Sequence, residues 1–107
     1  MDSEFEPEML TENFEAAVEA HRVGDYVTAH LEFLPLAEHG DVDAQHIVAT
    51  MYGRGLGKPK DLVQAGKWWR MAAEQGDTEA QFNLGLAYIY GRGVSQNYRE
   101  AEIWFRK

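Results

Sequence analysis

Two glycine-rich turns carry the residues most suggestive of a ligand-binding loop. They contain the pairs Gly55/Gly57 and Gly91/Gly93. A phosphate-binding loop follows a β-strand and ends in Gly-Lys-Ser or Gly-Lys-Thr, because backbone N–H groups and the lysine together hold the phosphates. Neither turn has this ending, and neither follows a strand-like pattern. We therefore expect all four glycines to be structural, supplying left-handed backbone conformation at turns.

The histidines and serines are the remaining candidates for metal binding or catalysis. No histidine has a second histidine one helical turn away, and none belongs to a metal-binding motif; the four are His21, His30, His39 and His46. With no cysteine and only two serines, a nucleophilic triad would need Ser95 in a solvent-facing loop. The sequence therefore predicts packing or surface histidines, no catalytic residue, no metal and no cofactor.

Length and composition limit the fold. The chain has 107 residues, 45% of them hydrophobic, including three tryptophans, which is enough for one packed domain. The absence of cysteine excludes disulfides and thiolate ligands. No run of 18 apolar residues occurs, and the acidic N-terminus lacks the basic start and apolar core of a secretory signal. We predict a cytoplasmic protein that does not enter a membrane.

The negative charge is concentrated at the N-terminus. Residues 1–20 contain seven acidic residues and no Lys or Arg, whereas residues 21–107 contain 11 acidic and 10 basic residues, which together give the net charge of −8. A nucleic acid partner would need a basic face, so none is expected. We interpret the acidic segment as a solvated tail and helix face; the alternative is an electrostatic docking site for a basic partner.

A repeat of 36 residues organises the rest of the chain. Residues 40–71 and 76–107 align without gaps and are identical at ten of 32 positions, where chance would give roughly two. A fixed period in this range indicates stacked helical repeats. The identical pairs are Gly40/Gly76, Asp41/Asp77, Ala44/Ala80, Gln45/Gln81, Tyr52/Tyr88, Gly55/Gly91, Gly57/Gly93, Ala65/Ala101, Trp68/Trp104 and Arg70/Arg106.

Helical periodicity and end signals divide each repeat into two helices. Apolar residues recur at helical spacing from Leu10, with Thr11 a candidate cap, and no stretch shows the alternation of a strand. The predicted fold is all-α, an α–α superhelix (solenoid) of three antiparallel helix hairpins. A flexible acidic lead-in at residues 1–9 precedes a repeat domain at 10–107, with units at about 10–40, 41–76 and 77–107, the last one truncated. The predicted helix starts are Asp25, Asp41, Asp61, Asp77 and Asn97. The predicted helix ends are Gly24, Gly40 and Gly76.

The repeat motif is specific enough to suggest a family. The third unit carries Ala80, Leu84, Gly85, Tyr88, Gly91, Gly93, Val94, Asn97, Ala101, Trp104, Phe105, Arg106 and Lys107. The second carries Ala44, Tyr52, Gly55, Gly57, Asp61, Ala65, Trp68, Trp69, Arg70, Ala72, Ala73 and Gly76. This pattern resembles the Sel1-like repeat family, which is related to the tetratricopeptide repeats.

The match has two departures. Val48-Ala49 stands where the family has Leu-Gly, and the first unit matches only in its second half. The loop of the second unit is also open to two alignments, because Gly53-Arg54-Gly55-Leu56 can be placed opposite Gly91-Arg92-Gly93-Val94.

The resemblance implies a function as well as a fold. Such repeats form right-handed superhelices that act as non-catalytic scaffolds or adaptors for protein complexes, often in bacteria. A Cys-rich secreted subset is associated with β-lactam binding or hydrolysis, and the absence of cysteine speaks against that activity here. The alternatives are a part of a longer enzyme, a relative of the β-lactam hydrolases, or a purely structural spacer.

The first helices of units two and three have a second face that is a candidate partner-binding surface. Such helices line the concave side of a solenoid, where a peptide or partner helix can bind. The alternative is that stacking alone buries this face. The predicted binding residues are His46 and Thr50 in unit two, Phe82, Leu86 and Ile89 in unit three, and a basic rim of Arg54 and Arg92.

The last helix is expected to leave an apolar side open. Its residues on that side are Tyr98, Ala101, Trp104 and Phe105, whereas terminal repeats normally have a polar outer face. We expect either that the chain belongs to a longer solenoid or that this side supports self-association.

Trp68 and Trp104 are expected to fill equivalent places beside small alanines. Truncation of a buried Trp to Ala costs about 3–5 kcal/mol, and a domain of this size has only about 5–15 kcal/mol of stability. We therefore expect Trp68→Ala to lower the melting temperature strongly or to unfold the chain, as measured by circular dichroism. An unchanged melting temperature would contradict the assignment of Trp68 to the core.

Overall fold

The computed structural model describes residues 7–107, with side chains from Phe14 onward, and consists of helices over that range. Each helix packs against the next along the chain, and the stack measures 41 × 25 × 24 Å. The predicted all-α fold of three hairpins is confirmed. The helices are α1 (Pro7–Arg22), α2 (Tyr26–Glu38), α3 (Val42–Arg54), α4 (Leu62–Glu74), α5 (Thr78–Tyr90) and α6 (Tyr98–Phe105).

The first helix differs from its prediction. It begins at Pro7 and not near Leu10, so Thr11 lies inside α1 and does not precede it. The part of the predicted lead-in at residues 1–6 lies outside the described residues.

Polar side chains cap the predicted helix starts. Such a side chain satisfies one of the N–H groups that a helix leaves unpaired at its first turn. The N–H groups of Thr28, Ala44, Gln64 and Glu100 donate to the side chains of Asp25, Asp41, Asp61 and Asn97 at 2.8–3.2 Å. Asp77, at the start of α5, makes no such bond.

The core consists of two clusters in which alanines let the helices approach. The first joins α1, α2 and α3 around Phe33, Leu36 and Met51, and the second joins α4, α5 and α6 around Leu84 and Trp104. Trp104 is buried, whereas Trp68 packs against the first cluster from a partly buried position. The cost of Trp68→Ala is therefore expected near the lower end of the range given above.

His30 is a packing residue, as the sequence predicts for its histidines. Its side chain is buried and meets the ring of Tyr52 edge to face at 5.0 Å. Desolvation on burial lowers the pKa of His30 from its ordinary value of 6.5, and the positive charge of Lys58 lowers it further. The imidazole is therefore neutral near pH 7.

The glycine-rich turns place each hairpin on the preceding one. Gly55 and Gly91 close α3 and α5 in the left-handed conformation, with φ of 71° and 66°. A Cβ at Gly93 would overlap the carbonyl oxygen of Leu62, and one at Gly57 would overlap that of Tyr26. The 36-residue step from Gly57 to Gly93 and from Tyr26 to Leu62 also resolves the loop alignment, because Gly55 corresponds to Gly91.

Glutamines form a second set of contacts between hairpins. Nε2 of Gln45 donates to the carbonyl oxygen of Ala37 at 3.1 Å, and Nε2 of Gln81 donates to that of Ala73 at the same distance. Gln45 is buried and also accepts a 2.8 Å bond from Gln75. Because a buried amide left unpaired costs about 1–3 kcal/mol, these bonds fix where each first helix meets the preceding second helix.

Asp77 binds a side chain of the neighbouring hairpin instead of capping its own helix. Its Oδ2 lies 2.7 Å from Nδ1 of His46 in α3, and Nε2 of His46 lies 3.1 Å from Oε1 of Glu79. Both ring nitrogens therefore lie within hydrogen-bond distance of a carboxylate. The contact joins α3 to the first turn of α5.

The close approach at Gly93 predicts a difference between two neighbouring glycines. Gly91→Ala places its Cβ in ordinary contact with Gln96, so its cost is the left-handed strain of about 1–2 kcal/mol. Gly93→Ala bears the same strain and must also displace the backbone of Leu62, which adds about 1–3 kcal/mol. Urea denaturation of the two variants measures the difference; equal costs would contradict the docking role of Gly93.

The contact between His46 and Asp77 predicts a coupling energy between hairpins. A double-mutant cycle of His46→Ala with Asp77→Asn should give a coupling of about 0.5–1 kcal/mol, because both side chains are three-quarters buried. In the control cycle, Asp41→Asn replaces Asp77→Asn, since the carboxylate of Asp41 bonds within α3. Coupling of the same size in both cycles would show that the contact is not specific.

Candidate functional site

An open cleft of about 540 Å³ lies where α3, α4 and α5 meet. Its volume falls within the range of about 300–1,000 Å³ that is usual for ligand sites. We call it the α3–α5 cleft. It is lined by Thr50, Gly53, Arg54, Lys60, Leu62, Trp69, Asn83, Leu86, Ala87 and Arg92.

Helical spacing explains how the two first helices contribute to the cleft. Residues three or four apart lie on one face of a helix, as do Thr50 and Arg54 at the end of α3 and Asn83 and Leu86 in α5. Gly53 leaves room for the indole of Trp69, since a Cβ there would lie 3.2 Å from Trp69 Cη2. Helix α4, the second helix of its hairpin, thus contributes Trp69 to the cleft at the position where Gly53 of α3 has no side chain.

The lining combines apolar walls with polar groups. Leu62, Trp69, Leu86 and Ala87 supply apolar surface. The hydroxyl of Thr50 donates to the carbonyl oxygen of His46 at 3.0 Å. The hydroxyl oxygen can still accept a hydrogen bond. Such a lining can bury an apolar side chain and also bond a peptide backbone.

Three cations surround the cleft: Arg54, Lys60 and Arg92. All three are exposed, and the guanidinium of Arg92 lies over the ring of Tyr90 at 5.0 Å. No carboxylate is among the described residues that line the cleft. The cleft is therefore locally positive.

Four of the seven predicted partner-binding residues line this cleft, namely Thr50, Arg54, Leu86 and Arg92. Phe82 lies beside it, in a shallow depression with Thr78, Glu79 and Asn83, and Asn83 is common to both. The Phe82 side chain is 55% exposed and its ring lies 5.7 Å from that of Phe105.

The other two predicted residues have structural contacts. Ile89 is partly buried against the second core cluster, and His46 is engaged by Asp77 and Glu79. Helix stacking, the alternative considered for the whole face, thus accounts for these two positions.

The sequence interpretation of the basic rim needs one correction. Arg54 is the last residue of α3, whereas Arg92 lies in the loop after α5, so the two are not equivalent under the 36-residue step. They nevertheless meet at one cleft.

Sequence reasoning did not predict the other six lining residues, which are Gly53, Lys60, Leu62, Trp69, Asn83 and Ala87. Trp69 packs against the second core cluster and also lines the cleft. The one available signal was the small residue at position 53, which opens α3 to an aromatic ring from α4.

The apolar side of the last helix is smaller than the sequence predicts. Ala101 and Trp104 are buried within the second core cluster, whereas Tyr98 and Phe105 are exposed by 64% and 43%. Self-association through this side remains a prediction. None of the described helices is long and apolar enough to cross a bilayer.

Solved structures resemble this fold over most of its length. A Sel1 repeat protein from Oxalobacter formigenes is 36% identical, with a TM-score of 0.78 over 88% of this chain and 38% of that one. The protective antigen c5321 of uropathogenic Escherichia coli, described as having an SLR fold, is 29% identical, with a TM-score of 0.85 over 91% of this chain and 22% of that one. The chain thus spans well under half of either protein.

A third structure shows likeness of fold alone. Helicobacter pylori cysteine-rich protein B is 18% identical, with a TM-score of 0.71 over 91% of this chain and 84% of that one. No curated protein sequence matches the chain significantly.

The repeat itself identifies the family. The sequence profile of the Sel1 repeat matches residues 42–77 and 78–107, which together form more than half of the chain. These are the second and third hairpins, whose turns, glutamine bonds and core positions recur at 36 residues. The chain belongs to the Sel1 repeat family.

Proposed function

We propose that this chain is a non-catalytic protein-binding scaffold and that the α3–α5 cleft holds a short segment of its partner. Sel1 repeats commonly mediate protein–protein interactions. The observation that carries the proposal is the cleft itself, where Thr50, Arg54, Leu86 and Arg92 come together from two repeats.

The size and lining of the cleft suit a peptide segment. Leu86 and Trp69 offer an apolar wall for one side chain, and Thr50 and Asn83 offer polar groups for a backbone. Phe82 extends the apolar surface beyond the cleft. A few well-packed apolar anchors usually supply most of the binding free energy in such sites.

The lining residues do not suggest catalysis. General acid–base catalysis needs a group that exchanges a proton near neutral pH, most often His, Asp or Glu. The polar groups among the described lining residues are a hydroxyl, an amide, an indole N–H, two guanidiniums and an exposed ammonium. A binding role uses these groups without further assumptions.

The proposal predicts that negative charges at positions 82 and 86 weaken peptide binding. Peptides selected from a random phage-displayed library against the wild type would be labelled, and their affinities measured by fluorescence anisotropy. Phe82→Asp combined with Leu86→Asp should weaken binding by about tenfold or more, equivalent to about 1.4 kcal/mol, because it places carboxylates in the apolar contact.

The matched control is Val27→Asp combined with Val63→Asp. It adds the same charge to exposed and equivalent positions on α2 and α4, outside the cleft. Circular dichroism checks that both variants fold. Equal affinity of the two double variants would refute the cleft as the binding site, and failure to select any peptide would favour the spacer interpretation.

A further inference from the structure

The charged groups of the α3–α5 cleft indicate which kind of peptide it would bind. Arg54 ends α3, Lys60 lies just before the cap of α4, and Arg92 follows α5, so three separate segments deliver cations to one place. None of the three forms an ion pair with a residue that the structure describes. By contrast, Arg22 and Arg106 pair with glutamates of their own helices at 2.7 and 2.9 Å.

The positive charge of the cleft comes from side chains that a ligand can reach. Arg54, Lys60 and Arg92 are all exposed, and no carboxylate is among the described residues that line the cleft. The indole nitrogen of Trp69 is buried and adds no accessible donor. The cleft therefore has an excess of accessible positive charge, which favours a ligand that carries negative charge.

A polyanion such as a nucleic acid does not fit the surroundings of the cleft. The depression that adjoins the cleft contains Glu79, which is highly exposed. A phosphate backbone that extended from the three cations toward this depression would meet the carboxylate of Glu79. A short peptide, unlike a polyanion, can place its carboxylates beside the three cations and carry no negative charge near Glu79.

We infer that the α3–α5 cleft selects peptide segments in which aspartate or glutamate flanks an apolar residue. The inference rests on the proposed function and specifies its partner. Arg54, Lys60 and Arg92 pair with the carboxylates, guanidiniums being suited to bidentate contact. The apolar residue packs on Leu86 and Trp69, and Glu79 disfavours a further acidic residue on the Phe82 side.

The test compares two short fluorescein-labelled peptides by anisotropy. One has Asp and Glu around a central Leu-Phe pair, and the other has Asn and Gln in their place. The wild type should bind the acidic peptide on the order of tenfold more tightly, because each exposed charge pair contributes about two- to fivefold. Raising the salt concentration should reduce this preference.

Variants locate the origin of the preference. The triple variant Arg54→Gln, Lys60→Gln and Arg92→Gln should bind both peptides equally, with the affinity of the wild type for the neutral one. The control Lys67→Gln, Arg99→Gln and Lys107→Gln removes the same charge from residues outside the cleft and should keep the preference. Circular dichroism verifies the fold of both.

The outcomes separate this inference from the proposed function. Equal affinity of the wild type for both peptides, or a preference that survives the cleft variant, overturns the inference and leaves the binding function intact. A single-stranded oligonucleotide of matched charge that binds more tightly than the acidic peptide also overturns it. If no peptide binds the wild type, including those offered by the library, the proposed function fails and the inference fails with it.

Discussion

Contact between backbones at Gly57 and Gly93 sets the spacing on which the rest of the stack depends. At each of these points a turn lies directly on the first turn of the preceding second helix, with no room for a Cβ. The hydrogen bonds of Gln45 and Gln81 to the preceding hairpin recur with the same 36-residue step. Because two unlike contacts repeat together, each hairpin is held on the preceding one at two points.

A fixed scaffold lets a few variable positions create a site. Where the repeats are identical, as at Tyr52/Tyr88 and Trp68/Trp104, the residues are structural. Where they differ, the surface differs: Thr50 corresponds to Leu86, and Gly53 to Ile89. The small residue at 53 admits Trp69 into the cleft, whereas Ile89 fills the equivalent space against the core. The cleft therefore exists between these two repeats because they are unlike.

The features that sequence reasoning predicted are local or periodic. Helix ends follow from Asp, Asn and Gly at fixed offsets, and the hairpin order follows from the 36-residue period. The features that it missed depend on distances across the stack. Trp69 lines the cleft because the neighbouring helix α3 has a glycine at position 53. Asp77 bonds to His46, which is 31 positions earlier, and does not cap its own helix. Local propensity contains no information about such pairs, so the site was predicted in part and its cation Lys60 was not predicted.

The same loops that hold the hairpins together also carry the charges of the cleft. Arg92 directly precedes Gly93, whose backbone contacts that of Leu62. Lys60 lies in the loop that contains Gly57, whose backbone contacts that of Tyr26. Their backbones are thus held before any partner arrives. A charge on a fixed backbone loses less conformational entropy on binding than one on a mobile loop. Under the proposed function, docking of the repeats and recognition of a partner are coupled, because a change that loosened either turn would displace a cation from the cleft as well as weaken the stack.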